Sequence, residues 1–280
     1  MNITIINKIV KSSLVMLAVG VAVISCQKMN RPALGDYPKD TNPPGGPLKF
    51  YASLDGLALD SIRANFGVDN NVSYLPGVYG KAVQLDGTKN GYVSFASAND
   101  FGQSKSFTIS FWMNIKLSQK DNNHAVGVLS FANSKNFWGN ITFYADNNAK
   151  SASDSMDLKI HFNAPNNGDN WNFAGYNFAN AWPKMYDGNW HQVAFVYDDA
   201  AHTGTVYRDG AQFDKKTGQT IAFENSSNLI VGGFQEAAGI VGKYSENTWM
   251  AGFPGMLDQV RLYGTALSAA EITSLFAGKQ

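Results

Sequence analysis

The sequence predicts an all-β domain, and three observations lead to that class. From residue 48 onward, short apolar stretches alternate with turns rich in glycine, asparagine and aspartate, and the chain holds 27 glycines to supply such turns. Residues 107–115 alternate apolar and polar side chains, the period of a strand with one buried face. Beyond the N-terminal leader, apolar residues recur with the period of a helix only at the C-terminus. Many short strands at this spacing indicate a sandwich or a barrel with one short helix.

The predicted strands pair through tight turns. The clearest predicted strand, at residues 107–115, carries Phe107, Ile109, Phe111, Met113 and Ile115 on one face. The other strands are predicted at residues 81–86, 91–95, 191–197, 203–208, 229–233 and 256–263. We expect the first two of these to form one hairpin and the third and fourth to form another.

The C-terminal helix is predicted from a capping box. Ser268 is followed three residues later by Glu271, so that each side chain can bond to the other residue's backbone N–H. Ile272, Leu275 and Phe276 then follow on one stripe. We expect this short helix to pack against the edge of the sandwich.

The N-terminus has the pattern of an export signal. Lys8 and Lys11 precede an apolar run at residues 14–24, which suits a secretory signal better than a membrane span. A small residue followed by Cys26, the only cysteine, resembles a bacterial lipoprotein signal. Cleavage would leave Cys26 as the lipidated N-terminus, held stably by several acyl chains. The alternative is an ordinary signal peptide with an incidental cysteine.

The composition favours an extracytoplasmic binding protein. Lys plus Arg and Asp plus Glu both number 22, so no bulk charge attracts nucleic acid. With Cys26 lipidated, the mature chain has no cysteine for a disulfide. Residues 35–47 are rich in proline and glycine and should form an extended tether. We therefore expect a signal peptide at 1–25, a lipidated tether at 26–47 and one domain at 48–280.

Six short strings, taken together and in order, carry a family resemblance. They are FYASLDG at 50–56, GVYGKAVQLDG at 77–87, SFTISFWM at 106–113, DGNWHQVA at 187–194, GMLDQVRLY at 255–263 and ALSAAEI at 266–272. Their order resembles LamG-like jelly-roll domains of the concanavalin A-like lectin/glucanase superfamily, over about residues 48–277. The resemblance implies a two-sheet antiparallel jelly-roll sandwich. It also implies that sugar binds on the concave side of one sheet or at its rim. The fold hosts lectins, enzymes and adhesion modules, so it does not by itself fix the function.

No catalytic residues are assigned. Glucanases that share the resemblance use Glu-x-Asp-x-x-Glu on one strand, and none of the four glutamates of this chain lies in that pattern. The sequence also lacks a Gly-x-Ser-x-Gly elbow and a His-Glu-x-x-His motif. A glycosidase or lyase built from carboxylates of distant segments remains the third and weakest hypothesis.

Asp258 is the candidate metal ligand. Along residues 256–262, Asp258 occupies the same alternate positions as Met256, Val260 and Leu262, so it is expected on their apolar face. A carboxylate buried there needs a cation, an arginine or backbone donors. The resemblance implies a structural calcium ion between the first and last strands, with Asp55 and Asp258 at the matching positions and Asp60 as a weaker ligand. The alternative is that Asp55 makes a turn and Asp258 pairs with an arginine or backbone N–H groups.

Residues 163–190 interleave asparagine with aromatic residues, and 166–176 read as a long loop. Shorter loops at 133–140 and 243–249 have the same character. Aromatic rings pack on the flat CH faces of a sugar, and amides pair with its hydroxyls without adding charge. The alternative is that these residues form turns and hold the loops in place. The candidate carbohydrate-binding residues are Trp138, Trp171, Tyr176, Trp182, Trp249, Asn170 and Asn172.

These observations together predict a lipid-anchored, non-catalytic carbohydrate-binding protein of the Gram-negative cell envelope. It would sit on the outer membrane, facing the surface or the periplasm, and hold a polysaccharide for uptake or degradation. Its contact with the membrane would be through the anchor alone, and other proteins of a glycan-uptake complex are candidate partners. The second hypothesis is a protein-interaction or structural module of a surface complex.

Overall fold

A computed structural model describes residues 46–146, 154–166, 168–172, 181–242 and 246–279. It forms a sandwich of two sheets in which every strand pair except one is antiparallel. The strands are β1 (Leu48–Ala52), β2 (Leu59–Asp60), β3 (Asn65–Phe66), β4 (Val68–Asn70), β5 (Val72–Pro76), β6 (Lys81–Leu85), β7 (Tyr92–Phe95), β8 (Phe107–Lys116), β9 (Ala125–Asn133), β10 (Ile141–Asp146), β11 (Leu158–Ala164), β12 (Gly168–Asn172), β13 (Asp187–Asp198), β14 (Thr203–Arg208), β15 (Ala211–Thr217), β16 (Ser226–Val231), β17 (Met250–Gly252) and β18 (Met256–Tyr263).

Each sheet brings together distant parts of the chain. Sheet A has the order β15-β14-β13-β8-β18-β1-β2-β3, with β6 beside β18 and β5 beside β6. Sheet B has the order β12-β11-β10-β9-β16-β7-β4, with β17 parallel to β9. The all-β sandwich with one C-terminal helix is confirmed.

The core lies between the two sheets. The five apolar residues predicted on one face of β8 are all part of it, and rings from both sheets meet there, such as Phe111 and Phe143 with centroids 5.3 Å apart. The prediction that β8 buries only one face is wrong, because every residue from Phe107 to Ile115 is buried. Another element must therefore cover the outer face of sheet A.

That element is the helix α1 (Ala269–Gly278). The predicted capping box is confirmed: the Ser268 N–H donates to Glu271 Oε2 (2.7 Å), and the Glu271 N–H donates to Ser268 Oγ (3.3 Å). Ile272 is buried against Ala194, Val196 and Tyr207, which lie on the outer face of sheet A. The helix therefore packs on a sheet face, and the expectation that it packs on the sandwich edge is wrong.

Two further strand predictions need correction. The hairpin expected between residues 81–86 and 91–95 does not form, because β6 pairs in sheet A whereas β7 pairs in sheet B. The short segment between β6 and β7 therefore connects the two sheets, although the closeness of the two strands in sequence suggested a single hairpin. The loop predicted at 166–176 contains a strand, since β12 pairs with β11 along its whole length.

The hairpin of β13 and β14 is confirmed, and so is the tight turn that follows β14. In that turn Asp209 and Gly210 both have positive φ, 51° and 76°, as a two-residue hairpin turn requires. Gly210 also lies directly against Phe276, with no room for a side chain. The turn therefore also shapes the surface on which α1 packs. No helix within the described ranges is long and apolar enough to span a bilayer.

Candidate functional site

Among the described residues, five Phe, Tyr and Trp side chains meet on the outer face of sheet B, and we call them the aromatic platform: Phe137, Trp138, Tyr144, Phe234 and Trp249. The ring centroids of Trp138 and Trp249 are 5.4 Å apart, and those of Phe137 and Trp138 are 5.2 Å apart. Phe234 lies 6.2 Å from Trp249. Such spacings are typical of mutually stabilising aromatic pairs, so the platform is a packed surface.

Strand alternation explains how the platform is seated. Along β10, Phe143 and Ala145 point into the core, whereas Tyr144 lies between them on the opposite face. The Trp138 ring stacks on that tyrosine at 5.9 Å with an interplanar angle of 28°. Trp249 is the most open member, with 40% of its surface exposed, while Tyr144 and Phe234 are buried. The platform thus has a buried base and an exposed indole at the top.

Buried amides hold the loop that carries Phe137 and Trp138. The side chain of Asn133 accepts hydrogen bonds from the backbone N–H of Lys135 (2.9 Å) and of Asn136 (3.1 Å). Asn136 in turn accepts from the Trp138 N–H (2.8 Å). Asparagine is suited to this role because its short side chain bonds to backbone groups nearby. Part of the asparagine enrichment seen in the sequence is therefore structural.

Gln235 connects the two loops of the platform, and sequence reasoning missed it. Its Nε2 donates to the backbone carbonyls of Asn136 (2.6 Å) and Phe137 (3.0 Å), and its Oε1 accepts from the Asn133 N–H (2.9 Å). This residue follows Phe234, so it fixes the two aromatic loops against each other. Tyr144 and Phe234 were also missed, and Phe137 was included only as part of the loop at 133–140. Only the tertiary structure brings these three rings together.

Two carboxyl groups near the platform are protonated more readily than usual. Burial raises the pKa of Glu236, directly after Gln235, to about 8, and its carboxyl oxygens have no hydrogen-bond partner among the described residues. Burial also raises the pKa of Asp157 to about 6, with Lys159 opposing the shift. At pH 7 the Glu236 carboxyl is therefore mostly protonated, whereas that of Asp157 is mostly ionised.

The predicted aromatic residues differ in their exposure to solvent. Trp138 and Trp249, taken from separate loops, are brought together. Trp182 is fully buried and stacks on Phe213 with centroids 4.5 Å apart. Because this ring has no surface exposed to a sugar, the prediction that Trp182 belongs to the carbohydrate site is wrong.

For three of the remaining carbohydrate candidates the structure gives only the strand register, and the fourth lies outside the described residues. In β12, Trp171 pairs with His161 of β11, Asn170 pairs with Phe162, and Asn172 pairs with Ile160. Tyr176 lies outside the described residues. These four residues stay predictions.

Asp258 and Asp55 approach the same segment, residues 77–81. Oδ2 of Asp258 accepts hydrogen bonds from the N–H of Val78 (2.9 Å) and Tyr79 (3.5 Å), and Oδ1 of Asp55 accepts from the Lys81 N–H (2.5 Å). The Asp258 side chain is fully buried, and its Oδ1 has no partner among the described residues. Burial raises its pKa to about 7, and the charge of Asp55 adds to the shift.

The expectation that Asp258 shares a face with Val260 and Leu262 is wrong. Gln259 has a φ of 51° at a register shift in β18, so the alternation is interrupted. Asp258 instead pairs with Trp112 on the outer face of sheet A, while Val260 and Leu262 enter the core. A β-bulge of this kind re-aims a side chain, and the sequence pattern alone did not reveal it.

The two aspartates fit a calcium ion in part. A buried carboxylate oxygen without a partner and a second carboxylate nearby are suitable hard ligands. No cluster of three or more His, Cys, Asp or Glu occurs in the part of the chain that the structure describes, so carbonyls or water would have to complete the shell. Asp60 does not fit, because its carboxylate accepts from the N–H of Tyr51 and Ile62 and from Asn99 Nδ2.

Comparisons with known proteins agree with this architecture. Domain 4 of AbnA, a GH43 extracellular arabinanase from Geobacillus stearothermophilus solved with arabinotriose, is 20% identical with a TM-score of 0.55, covering 81% of this chain and 97% of that domain. The binding domain of Paraclostridial Mosquitocidal Protein 1 is 16% identical with a TM-score of 0.57, covering 82% and 52%. The binding domain of botulinum neurotoxin DC in complex with rat synaptotagmin II is 14% identical with a TM-score of 0.55, covering 84% and 52%.

At these identities the likeness concerns the fold, and this chain spans about half the length of the two toxin domains. No curated protein matches the sequence. The family model Laminin_G_3, described as concanavalin A-like lectin/glucanases superfamily, matches residues 86–273. That match covers most of the sandwich, from the end of β6 into α1, and the chain belongs to this superfamily.

Proposed function

We propose that this domain binds a carbohydrate without cleaving it, and that the aromatic platform is the contact surface. The observation that carries the proposal is the meeting of Trp138 and Trp249 from two distant loops, with the Trp249 indole 40% exposed. An aromatic cluster that serves only as packing is expected to close over its largest ring. Here one of the two indoles, that of Trp249, remains 40% exposed.

The chemistry of the platform suits a sugar. An exposed indole offers a flat face to the CH groups of a pyranose or furanose ring. The buried rings beneath Trp249 hold it in place, so that little conformational entropy is lost when a ligand stacks on it. The arabinanase domain of the same fold was solved with arabinotriose, which supports a glycan as the ligand class and puts arabinan among the probes.

The test is a binding assay against a panel of plant, algal, host and microbial polysaccharides, by affinity gel electrophoresis and glycan array. We expect at least one glycan to bind and Trp249→Ala to weaken it. The matched control is Phe66→Ala, which removes an exposed ring (67% exposed) far from the platform in sequence and on sheet A. Absence of binding to every member of the panel, or equal loss in both variants, would contradict the proposal.

We also propose that the domain is lipid-anchored through Cys26 and lies on the outer membrane, with residues 27–47 as a tether. The support is the apolar run before the only cysteine and the Pro/Gly-rich segment after it. Metabolic labelling with palmitate should mark the wild-type chain and leave Cys26→Ala unlabelled. Label in both would contradict the anchor.

A protein partner is the second candidate function, and one surface favours it. Phe66 and Val68 are 67% and 69% exposed, on short strands at the edges of the two sheets. Exposed apolar residues at a sheet edge are common at protein contacts. A stoichiometric partner in a pull-down that is lost in Phe66→Ser, with no effect of added glycan, would favour this function.

A further inference from the structure

A groove of about 1110 Å³ lies at the rim of the sandwich, on segments that the sequence did not mark as a binding site. One wall is formed by residues 84–89, the other by residues 118–124, and part of the floor by Ala251, Gly252 and Pro254. Sites for drug-sized ligands fill roughly 300–1,000 Å³. The groove is therefore large enough for more than one sugar ring.

One wall of the groove is fixed by a carboxylate. Oδ1 of Asp121 accepts hydrogen bonds from the N–H of Asn123 (2.8 Å) and of His124 (3.0 Å), and Oδ2 lies 2.7 Å from His124 Nδ1. These bonds tie down the turn while the side chains of Asn122 and Asn123 remain exposed. The wall thus presents two amides on a fixed backbone.

The other wall is built in the same way. Oδ1 of Asp86 accepts from the N–H (3.1 Å) and the hydroxyl (2.7 Å) of Thr88, and Oδ2 lies 3.2 Å from Lys89 Nζ. Each acid of the groove is therefore paired within its own loop. Two lysines (Lys89 and Lys120) and two aspartates (Asp86 and Asp121) line the groove, so the formal charge of its lining is zero with His124 neutral. The lining therefore offers no excess of one charge to attract a charged ligand.

The groove adjoins the aromatic platform. The backbone N–H of Ala125, directly after His124 of the groove wall, donates to the Trp249 carbonyl (2.8 Å). β17 then runs from Met250, which packs against the platform, to Ala251 and Gly252 on the groove floor. At about 3.3 Å per residue, Gly252 lies about 10 Å from Trp249. One short strand, β17, thus connects the open indole to the groove.

We propose that the platform and the groove together bind the interior of one linear, uncharged polysaccharide chain. This inference rests on the proposed function and adds to it the class of ligand. The indole stacks on one sugar unit, and the amides and hydroxyls of the groove bond to the units that follow. A ligand held in this way is recognised along its length and does not need a free chain end.

The test uses neutral oligosaccharides of two to six units from glucan, xylan and arabinan, with polygalacturonate as the charged probe, in isothermal titration. We expect affinity to rise at least about tenfold from the disaccharide to the hexasaccharide of the series that binds. The double variant Asn122→Ala/Asn123→Ala should weaken the hexasaccharide severalfold and leave the disaccharide unchanged, whereas Trp249→Ala should weaken both. Asn189→Ala, which removes an exposed amide from β13, is the control and should change neither.

Two results would overturn the inference while the proposed function stands. One is a disaccharide that binds as tightly as the hexasaccharide, in a manner sensitive to Trp249→Ala but not to the groove variant. The other is polygalacturonate binding more tightly than every neutral series. If the wild type binds none of these probes, the inference falls, and the proposed function fails as well only if no member of the wider glycan panel binds.

Discussion

The two outer faces of the sandwich both carry indoles but use them differently. On sheet A, Trp112 of β8 is only 2% exposed because Phe276 of α1 stacks on it, with centroids 5.5 Å apart and an interplanar angle of 19°. On sheet B, Trp249 contacts Phe137, Trp138 and Phe234 among the described residues and is still 40% exposed. The residue type is the same; the difference is whether the chain supplies its own covering ring.

This contrast shows how a tryptophan on a sheet face can be assigned to structure or to binding. Phe276 stacks on the Trp112 indole in the way that a sugar ring would stack on the Trp249 indole. The helix α1 therefore covers the indole of sheet A with a ring from the same chain. The outer face of sheet B carries loops and one short 3-10 helix (Gln235–Ala238), and in the described part of the chain no α-helix lies on it. Breaking the covered face should reduce stability, and breaking the open face should reduce binding.

The largest expected effect is on the covered face. Trp112→Ala removes a fully packed indole and should lower the free energy of unfolding by about 3–5 kcal/mol, measured by urea denaturation. Trp112→Phe should cost much less, because it keeps a ring under Phe276 and removes an indole N–H that is buried without a partner among the described residues. Equal losses in the two variants would show that the covering ring contributes little.

The next effect concerns Asp258, the register partner of Trp112. Its folded pKa of about 7 lies above the unfolded value of about 3.9, so the unfolded chain ionises first as pH rises. Without calcium, this group's contribution is therefore fully present below about pH 4 and is lost by about pH 7, a fall of up to about 4 kcal/mol. Asp258→Asn should flatten that part of the pH–stability profile.

Calcium should reverse the loss if the aspartates bind it. Added calcium should raise the melting temperature of the wild type at pH 7.5, EDTA should lower it, and Asp258→Asn should show neither response. Glu236→Gln serves as the control, since burial also raises the pKa of Glu236, to about 8, at a site away from Asp55. A calcium response that persists in Asp258→Asn would contradict this assignment.

Uncovering the indole of sheet A should have a smaller effect. Phe276→Ala removes a half-buried ring near the end of α1 and should destabilise the domain by about 1–2 kcal/mol. It should also increase quenching of tryptophan fluorescence by acrylamide, since Trp112 becomes accessible. Unchanged quenching would show that other groups cover this indole.

The smallest effect on stability is expected on the open face. Trp249→Ala removes a ring that is 40% exposed and should change the free energy of unfolding by less than about 1 kcal/mol. Its effect on glycan affinity should be larger, at least about tenfold, or about 1.4 kcal/mol. A stability loss comparable to that of Trp112→Ala would show that the platform is structural.

The fold was accessible from the sequence because it depends on local alternation. The period of two in residues 107–115, the Asp209–Gly210 turn and the Ser268–Glu271 box each specify an element, and each was found in place. The sequence did not reveal that β6 pairs in sheet A and β7 in sheet B. The partner of a strand depends on distant parts of the chain, which a local pattern does not include. The reversed side chain of Asp258 was missed because one bulge at Gln259 inverts the pattern.

The site was accessible only in part. Loop composition pointed to Trp138 and Trp249, but it gave equal weight to Trp182, which is buried. Exposure depends on what packs above a ring, and no local pattern records that. The groove was missed because Asp86, Thr88 and Asp121 look like ordinary turn residues, and only the tertiary structure sets the two turns on either side of Ala251.

The most direct test of the contrast between the two faces is an NMR titration. The chain has six tryptophans, so its indole N–H signals can be assigned by single substitution. They can then be followed as the tightest-binding glycan of the panel is added. We predict that the signals of Trp138 and Trp249 shift with ligand, while those of Trp112 and Trp182 stay in place. Shifts confined to the buried pair, with Trp249 unmoved, would contradict binding on the outer face of sheet B.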